Sequence, residues 1–163
     1  MMRMVRTGLL LLLLGSVVVL HDVQAQATGF GIGPKVGAYL KGHPLIGVQV
    51  DYPISRNWGV QPGLEIVFPG NSTTRVQIDG SVRYAFPVRG EQYMPYIFAG
   101  PALSYSIVSL GGETDTQVDF GLSGGGAIVW NTRSDVQWWS GLKIVFFDGD
   151  SDVGLLGGVT FYL

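Results

Sequence analysis

Few residues of this chain could do chemistry, and their spacing narrows what that chemistry could be. Asp148-Gly149-Asp150-Ser151-Asp152 sets three carboxylates at alternate positions, as at the start of a calcium loop, but the distal Glu that completes such a loop is missing. Asp148, Asp150 and Asp152 are therefore expected to form a solvated acidic loop, with a weak cation site as the alternative. His43 is the one histidine beyond residue 27 and so the one conventional general base, and no His-x-Ser pair accompanies it. Catalysis would need a neighbouring loop Ser or Asp to complete a dyad; the expectation is a solvated turn histidine. Gly29–Gly33 and Gly124–Gly126 look like phosphate-cradling stretches, yet no helix follows either, so they read as curvature glycines within strands. The absence of cysteine excludes disulfides, thiolate metal sites, a Cys nucleophile and a lipidated N-terminal Cys. The chain is expected to have no catalytic residue, no cofactor and no metal, and not to be an enzyme.

The elements that carry these residues follow from composition and period. The 163 residues are 47% hydrophobic and only 13% charged, with 25 glycines, too little charge to cover an ordinary solvated surface. Arg3 and Arg6 precede an uncharged, apolar run from Gly8 to Leu20 with Ser16 its one polar residue, and Ala25-Gln26-Ala27 follows. That is the order of a secretory signal peptide, here residues 1–27, with cleavage after Ala27 or after Ala25. Residues 28–163 then form one domain of net charge −3, which excludes a nucleic-acid partner. Period-two alternation runs through this domain, and turn residues divide it into eight segments: Thr28–Leu40, Pro44–Ile54, Trp58–Phe68, Thr74–Val88, Tyr93–Ile107, Gln117–Trp130, Val136–Phe147 and Val153–Leu163. The connections, Val108–Thr116 the longest, are all short enough for hairpins, which predicts antiparallel strands in up-and-down order.

One parity of these strands is nearly free of polar groups. The other holds every charge that falls within a strand: Lys35, Asp51, Glu65, Arg75, Asp79, Arg83, Asp119 and Lys143, four of each sign. Two opposite objects alternate in this way, a soluble barrel with an apolar interior and a membrane barrel with a polar one. Eight charges among glycines, serines and glutamines suit the narrow lumen of an eight-stranded barrel better than a water-facing exterior. Aromatics of the apolar parity gather near strand ends: Tyr52, Trp58, Phe68, Tyr84, Phe86, Tyr93, Tyr105, Trp130, Trp138, Phe146 and Phe161, as two interfacial girdles would require. Pro34, Pro62, Pro95 and Pro101 fall within strands and favour neither object. The fold predicted is all-β: an eight-stranded antiparallel up-and-down transmembrane β-barrel whose lumen charges pair because single buried ions are costly.

With these residues in place, the domain resembles the small eight-stranded outer-membrane barrels related to the OmpA transmembrane domain and OmpX. The resemblance is carried by Pro95-Tyr96-Ile97-Phe98-Ala99-Gly100-Pro101, Val118-Asp119-Phe120-Gly121-Leu122 with Gly124-Gly125-Gly126, and the C-terminus. There Gly158, Phe161 and Leu163 are similar to the terminal-strand signal read by the barrel-insertion machinery, although Leu156 stands where a polar residue is commoner. The resemblance implies residence in outer-membrane lipid, an N-terminus on the periplasmic side and odd-numbered connections facing outward, which makes the outer rim acidic. It implies little about activity. A structural or surface-interaction barrel, expected as a monomer, is the leading expectation. A transport barrel for small or hydrophobic solutes and an exported lipocalin-like binding barrel are the alternatives.

Overall fold

The computed structural model describes residues 29–70, 73–86, 88, 92–110, 113–130 and 134–163. The segment read as a signal peptide lies outside the described residues. Eight strands make up the domain: β1 (Gly31–Tyr39), β2 (His43–Pro53), β3 (Trp58–Gly70), β4 (Thr73–Ala85), β5 (Tyr93–Leu110), β6 (Glu113–Trp130), β7 (Val136–Phe147) and β8 (Asp150–Tyr162). Each pairs antiparallel with the next, and β1 also pairs with β8, closing the sheet into a barrel in chain order. Alternation places the charged parity inside. Lys35, Asp51, Glu65, Asp79, Arg83 and Lys143 are buried, whereas Ile46, Ile78, Ile97, Leu122, Leu142 and Leu155 are exposed. This inverts the distribution of a water-soluble barrel and suits lipid as the outer solvent.

The register gives the shape. A row of neighbours starting at Lys35 and followed through β2 to β5 reaches Asp119 on β6; followed through β8 and β7 it reaches Val129. This stagger of about ten residues around eight strands, at ~3.3 Å per residue and ~4.8 Å per strand, tilts the strands by about 40°. Trp58 and Phe68 bound the outward apolar run of β3. At that tilt they stand about 25 Å apart along the axis, the height of the apolar band in membrane barrels. The aromatics at the two ends are unequal. Tyr52, Trp58, Tyr84, Phe86, Tyr93, Trp130, Trp138 and Phe161 ring the end that carries the described termini, with edge-on contacts from Trp58 to Tyr84 and Tyr84 to Phe86, each at 4.9 Å between centroids. Phe68, Tyr105, Phe120 and Phe146 stand toward the other, a sparser girdle.

The prolines have a structural place. Pro34, Pro62 and Pro101 each coincide with an interruption of one ladder, between Ile32↔Phe161 and Lys35↔Gly158, between Tyr52↔Val60 and Gln49↔Gly63, and between Val82↔Ala99 and Asp79↔Ala102. A residue without an N–H is tolerated where the neighbouring strand does not need that donor.

Two connections are markedly shorter than the sequence reading has them. The connection expected at Val108–Thr116 is mostly strand, because β5 and β6 are each 18 residues long and pair without a break from Tyr93↔Trp130 to Leu110↔Glu113. Glycine and polar residues there suggest a loop, but alternating Val108 and Leu110, then Thr114 and Thr116, favour continuing a ladder that already has a partner. The acidic loop expected at Asp148–Asp152 is also shorter. Phe147 pairs with Asp150, leaving Asp148 and Gly149 as a tight turn with Gly149 at φ 76°, a conformation that favours glycine.

Candidate functional site

The lumen begins with the residues that alternation turns inward. Lys35 on β1 and Lys143 on β7 both reach Glu65 Oε1 on β3, each at 2.7 Å. Lys143 also pairs with Asp79 on β4, and Lys35 Nζ lies 3.7 Å from Asp79 Oδ2. The Tyr39 hydroxyl donates to Glu65 Oε2 at 3.1 Å, so both oxygens of this carboxylate, which has no exposed surface, are engaged. Two cations and two anions make the cluster neutral. Nearer the termini, Arg83 grips Asp51 with two bonds, Nε to Oδ1 at 2.6 Å and Nη2 to Oδ2 at 3.1 Å, and the Tyr162 hydroxyl donates to the same carboxylate. A bidentate pair of this kind holds both geometry and charge.

Glycine makes the room. A Cβ at Gly63 would fall 2.6 Å from both Lys35 Nζ and Asp79 Oδ2. Gly63→Ala is expected to lower stability by about 1–3 kcal/mol, read as a lower urea midpoint for unfolding from lipid vesicles, whereas an unchanged midpoint would contradict the packing. Elsewhere bulky inward rings oppose glycines across the ladder: Tyr39↔Gly154, Phe98↔Gly125, Trp139↔Gly158 and Phe147↔Gly121. Sequence reasoning passed over these aromatics, although each shares the polar parity of its strand, that of Lys35, Ser104 or Lys143.

On the side of the four-ion cluster away from the described termini, Tyr39, Leu45, Val67 and Val145 are at most 2% exposed and fill the bore with apolar groups. Leu156 is buried with them in the same core, which explains an apolar residue where a polar one was expected. On the side toward the termini lies a cavity of about 30 Å³ lined by Lys35, Gln49, Gln61, Ser81, Trp139 and Lys143, room for one or two waters. The expected network of eight lumen charges is therefore two separate clusters, of four and of two. Arg75 and Asp119 belong to neither. The stagger raises them above the apolar layer, opposite Ser106 and Ser104, and Asp119 accepts a bond from Gln117 at 2.8 Å.

At the rim opposite the termini, Asp150 pairs with Lys41, and Asp152, which is buried, lies 3.7 Å from His43 Nδ1. These contacts tie the first turn to the start of β8. Asp150 and Asp152 are strand residues, Asp150 paired with Lys41 and Asp152 facing His43, and Asp148 stands in the turn. Among the described residues no group of three acidic or histidine side chains converges. Among the described residues the buried His43 Nδ1 has no hydrogen-bond partner, so none of them poises a hydroxyl on that nitrogen. Of the C-terminal positions, Gly158 faces Trp139 in the lumen, Phe161 points outward and the Leu163 amide donates to Phe30 O at 3.1 Å.

A closed, inside-out barrel of eight antiparallel strands has counterparts among solved structures. The N-terminal barrel domain of Pseudomonas aeruginosa OprF aligns with a TM-score of 0.72 at 14% identity, covering 83% of this chain and 97% of that one. Neisserial surface protein A (NspA) aligns at 0.68 and 18% identity, covering 83% and 98%. The chain has the fold of an eight-stranded outer-membrane barrel. Neither a protein-family model nor a curated protein matches it in sequence. The outer-membrane enzyme PagL shares the fold at a TM-score of 0.56 and 11% identity, covering 82% of this chain and 99% of that one, so the fold is compatible with catalysis and without it.

Proposed function

We propose that the chain is an exported, non-enzymatic outer-membrane barrel that holds its outer turns and the β5–β6 hairpin at the cell surface as an interaction module. The filled lumen carries this reading. A four-ion cluster and a layer of Tyr39, Leu45, Val67 and Val145 succeed one another along the bore, which makes the barrel a rigid pedestal rather than a passage. A solute-transport role would need a bore that this layer occupies. A lipocalin-like role would need the apolar face inside. Catalysis would need a nucleophile on His43, whose Nδ1 faces Asp152 and no hydroxyl. Outer-membrane lipid is the solvent that fits the apolar band and its girdles, and the insertion machinery would read the terminal strand carrying Gly158, Phe161 and Leu163.

The chain has no cysteine, so one introduced thiol reports topology without background. Thr116 on the projecting hairpin and Arg56 in the β2–β3 turn are both exposed and lie at opposite ends. A membrane-impermeant maleimide is expected to label Thr116→Cys on intact cells and Arg56→Cys only after the envelope is permeabilised. The reverse pattern, or labelling of neither on cells whose membranes contain the folded protein, overturns the surface reading.

A further inference from the structure

The β5–β6 hairpin outruns its neighbour on one side. β6 pairs with β5 along its whole length, but β7 leaves it at Gly121↔Phe147. Among the described residues no strand covers the β7 side of β6 from Glu113 to Phe120, about 26 Å of strand at the usual rise. The register says which backbone groups are left over. Phe86 N donates to Pro95 O at 2.9 Å, so Pro95 and the alternate residues after it turn their peptide groups toward β4. The intervening residues of β5, Ser104 and Ser106 among them, therefore bond to Asp119 and Gln117 on β6. Thr116, Val118 and Phe120 are left to point their N–H and C=O groups at the vacant side.

This edge has a chemical character. Val118 and Phe120 are 51% and 61% exposed on the outward parity, while Asp115, Gln117 and Asp119 form the other. β6 contains no Lys or Arg, and Asp148 stands in the adjacent turn beyond β7. An unpaired row of backbone groups recruits another extended chain, and the side chains choose which. A second copy aligned antiparallel would set acidic residues near acidic residues, which opposes pairing. We infer that the outer edge of β6 binds an extended segment of a partner protein by strand addition, a segment alternating Lys or Arg with apolar residues. Basic side chains would meet Asp115 and Asp119, and apolar ones would meet Val118 and Phe120. The inference rests on the surface-interaction reading, since the edge must face the exterior.

The test uses the full barrel in phosphatidylcholine nanodiscs, whose lipid carries no net charge. The probe is a ten-residue peptide alternating Lys and Val; peptides alternating Glu with Val and Lys with Pro are the controls. The Lys–Val peptide is expected to bind at least about tenfold tighter than either control. It should slow hydrogen exchange at the Thr116, Val118 and Phe120 amides, leaving those of Gln117 and Asp119, already bonded to β5, unchanged. Val118→Pro removes a donor from the vacant side only and should weaken the peptide about tenfold while the heat-modifiable folded form persists. Equal binding of the Lys–Pro peptide would reduce the effect to charge attraction and overturn strand addition. So would no binding, or full affinity in Val118→Pro. Protection of the three amides without peptide, in discs holding two barrels, would make a second copy the occupant and likewise overturn the inference. Thiol labelling of Thr116→Cys on cells separates the two levels: labelling without peptide binding sinks this inference alone, and absence of labelling sinks the surface reading beneath it.

Discussion

Glu65→Gln is expected to destabilise the barrel by about 3–5 kcal/mol, the usual consequence of removing one partner from a buried ion cluster. Glu65 has no exposed surface and is the carboxylate to which Lys35 and Lys143 both bond at 2.7 Å. The amide keeps the shape but removes the charge, leaving two buried ammonium groups with Asp79 as their one anion. It also turns an NH₂ group toward one of two positions already facing a donor, a lysine or the Tyr39 hydroxyl. Urea titration of the protein folded into lipid vesicles, followed by gel mobility with and without heating, measures the loss. A second substitution gives the sign. Lys143→Met in the Glu65→Gln background restores neutrality, so the double variant should be more stable than Glu65→Gln alone, a coupling that independent sites would not show. A midpoint for Glu65→Gln within error of the parent would mean that the cluster is not the dry, paired network described.

How much of this cluster could be read beforehand depends on which property is asked for. That Arg75, Asp79 and Arg83 share a face is a statement about parity, and parity survives any tilt or register. Membership of the lumen was therefore legible. Which charges touch was not, because contact depends on the stagger of the closed sheet. Lys143 meets Glu65 and Asp79 across 78 and 64 residues of chain, whereas Arg75, two positions from Gln77 on the same face, rises past the cluster. The ring–glycine pairs sit between these cases. Trp139 shares its parity with Lys143, and Tyr39 with Lys35, so their inward direction was available from alternation; that Gly158 and Gly154 would face them needed the register. The β5–β6 hairpin was misread for a different reason. Turn composition marks where a chain can reverse, while the length of a ladder is set by whether the partner strand continues, and residues 108–116 carry both signals.

Gly33→Ala should prevent the barrel from closing, and it is the smallest change in the chain expected to do so. The added Cβ would lie 1.6 Å from Val159 O, a backbone atom that no rotamer change can move aside. The position is on the β1–β8 seam, at the gap between Ile32↔Phe161 and Lys35↔Gly158, where the chain passes through Pro34. Every other seam joins strands that are consecutive in the chain, whereas this one brings together the two ends of the described domain and is held by the β1–β8 ladder with no hairpin to tether it. Moving Val159 away there would separate β1 from β8, also disturbing Lys35, which supplies one of the two cations on Glu65. Overpacking that shifts backbone is expected to cost about 3 kcal/mol or more. The heat-modifiable compact form should disappear from refolded material, with tryptophan emission left at the unfolded position. Gly80→Ala is the matched control, since a Cβ there meets nothing within 4 Å. It should fold as the parent does. Should Gly33→Ala also fold as the parent does, the close approach of β1 to Val159 that shapes the closing seam would be wrong, and with it the stagger from which the strand tilt was obtained.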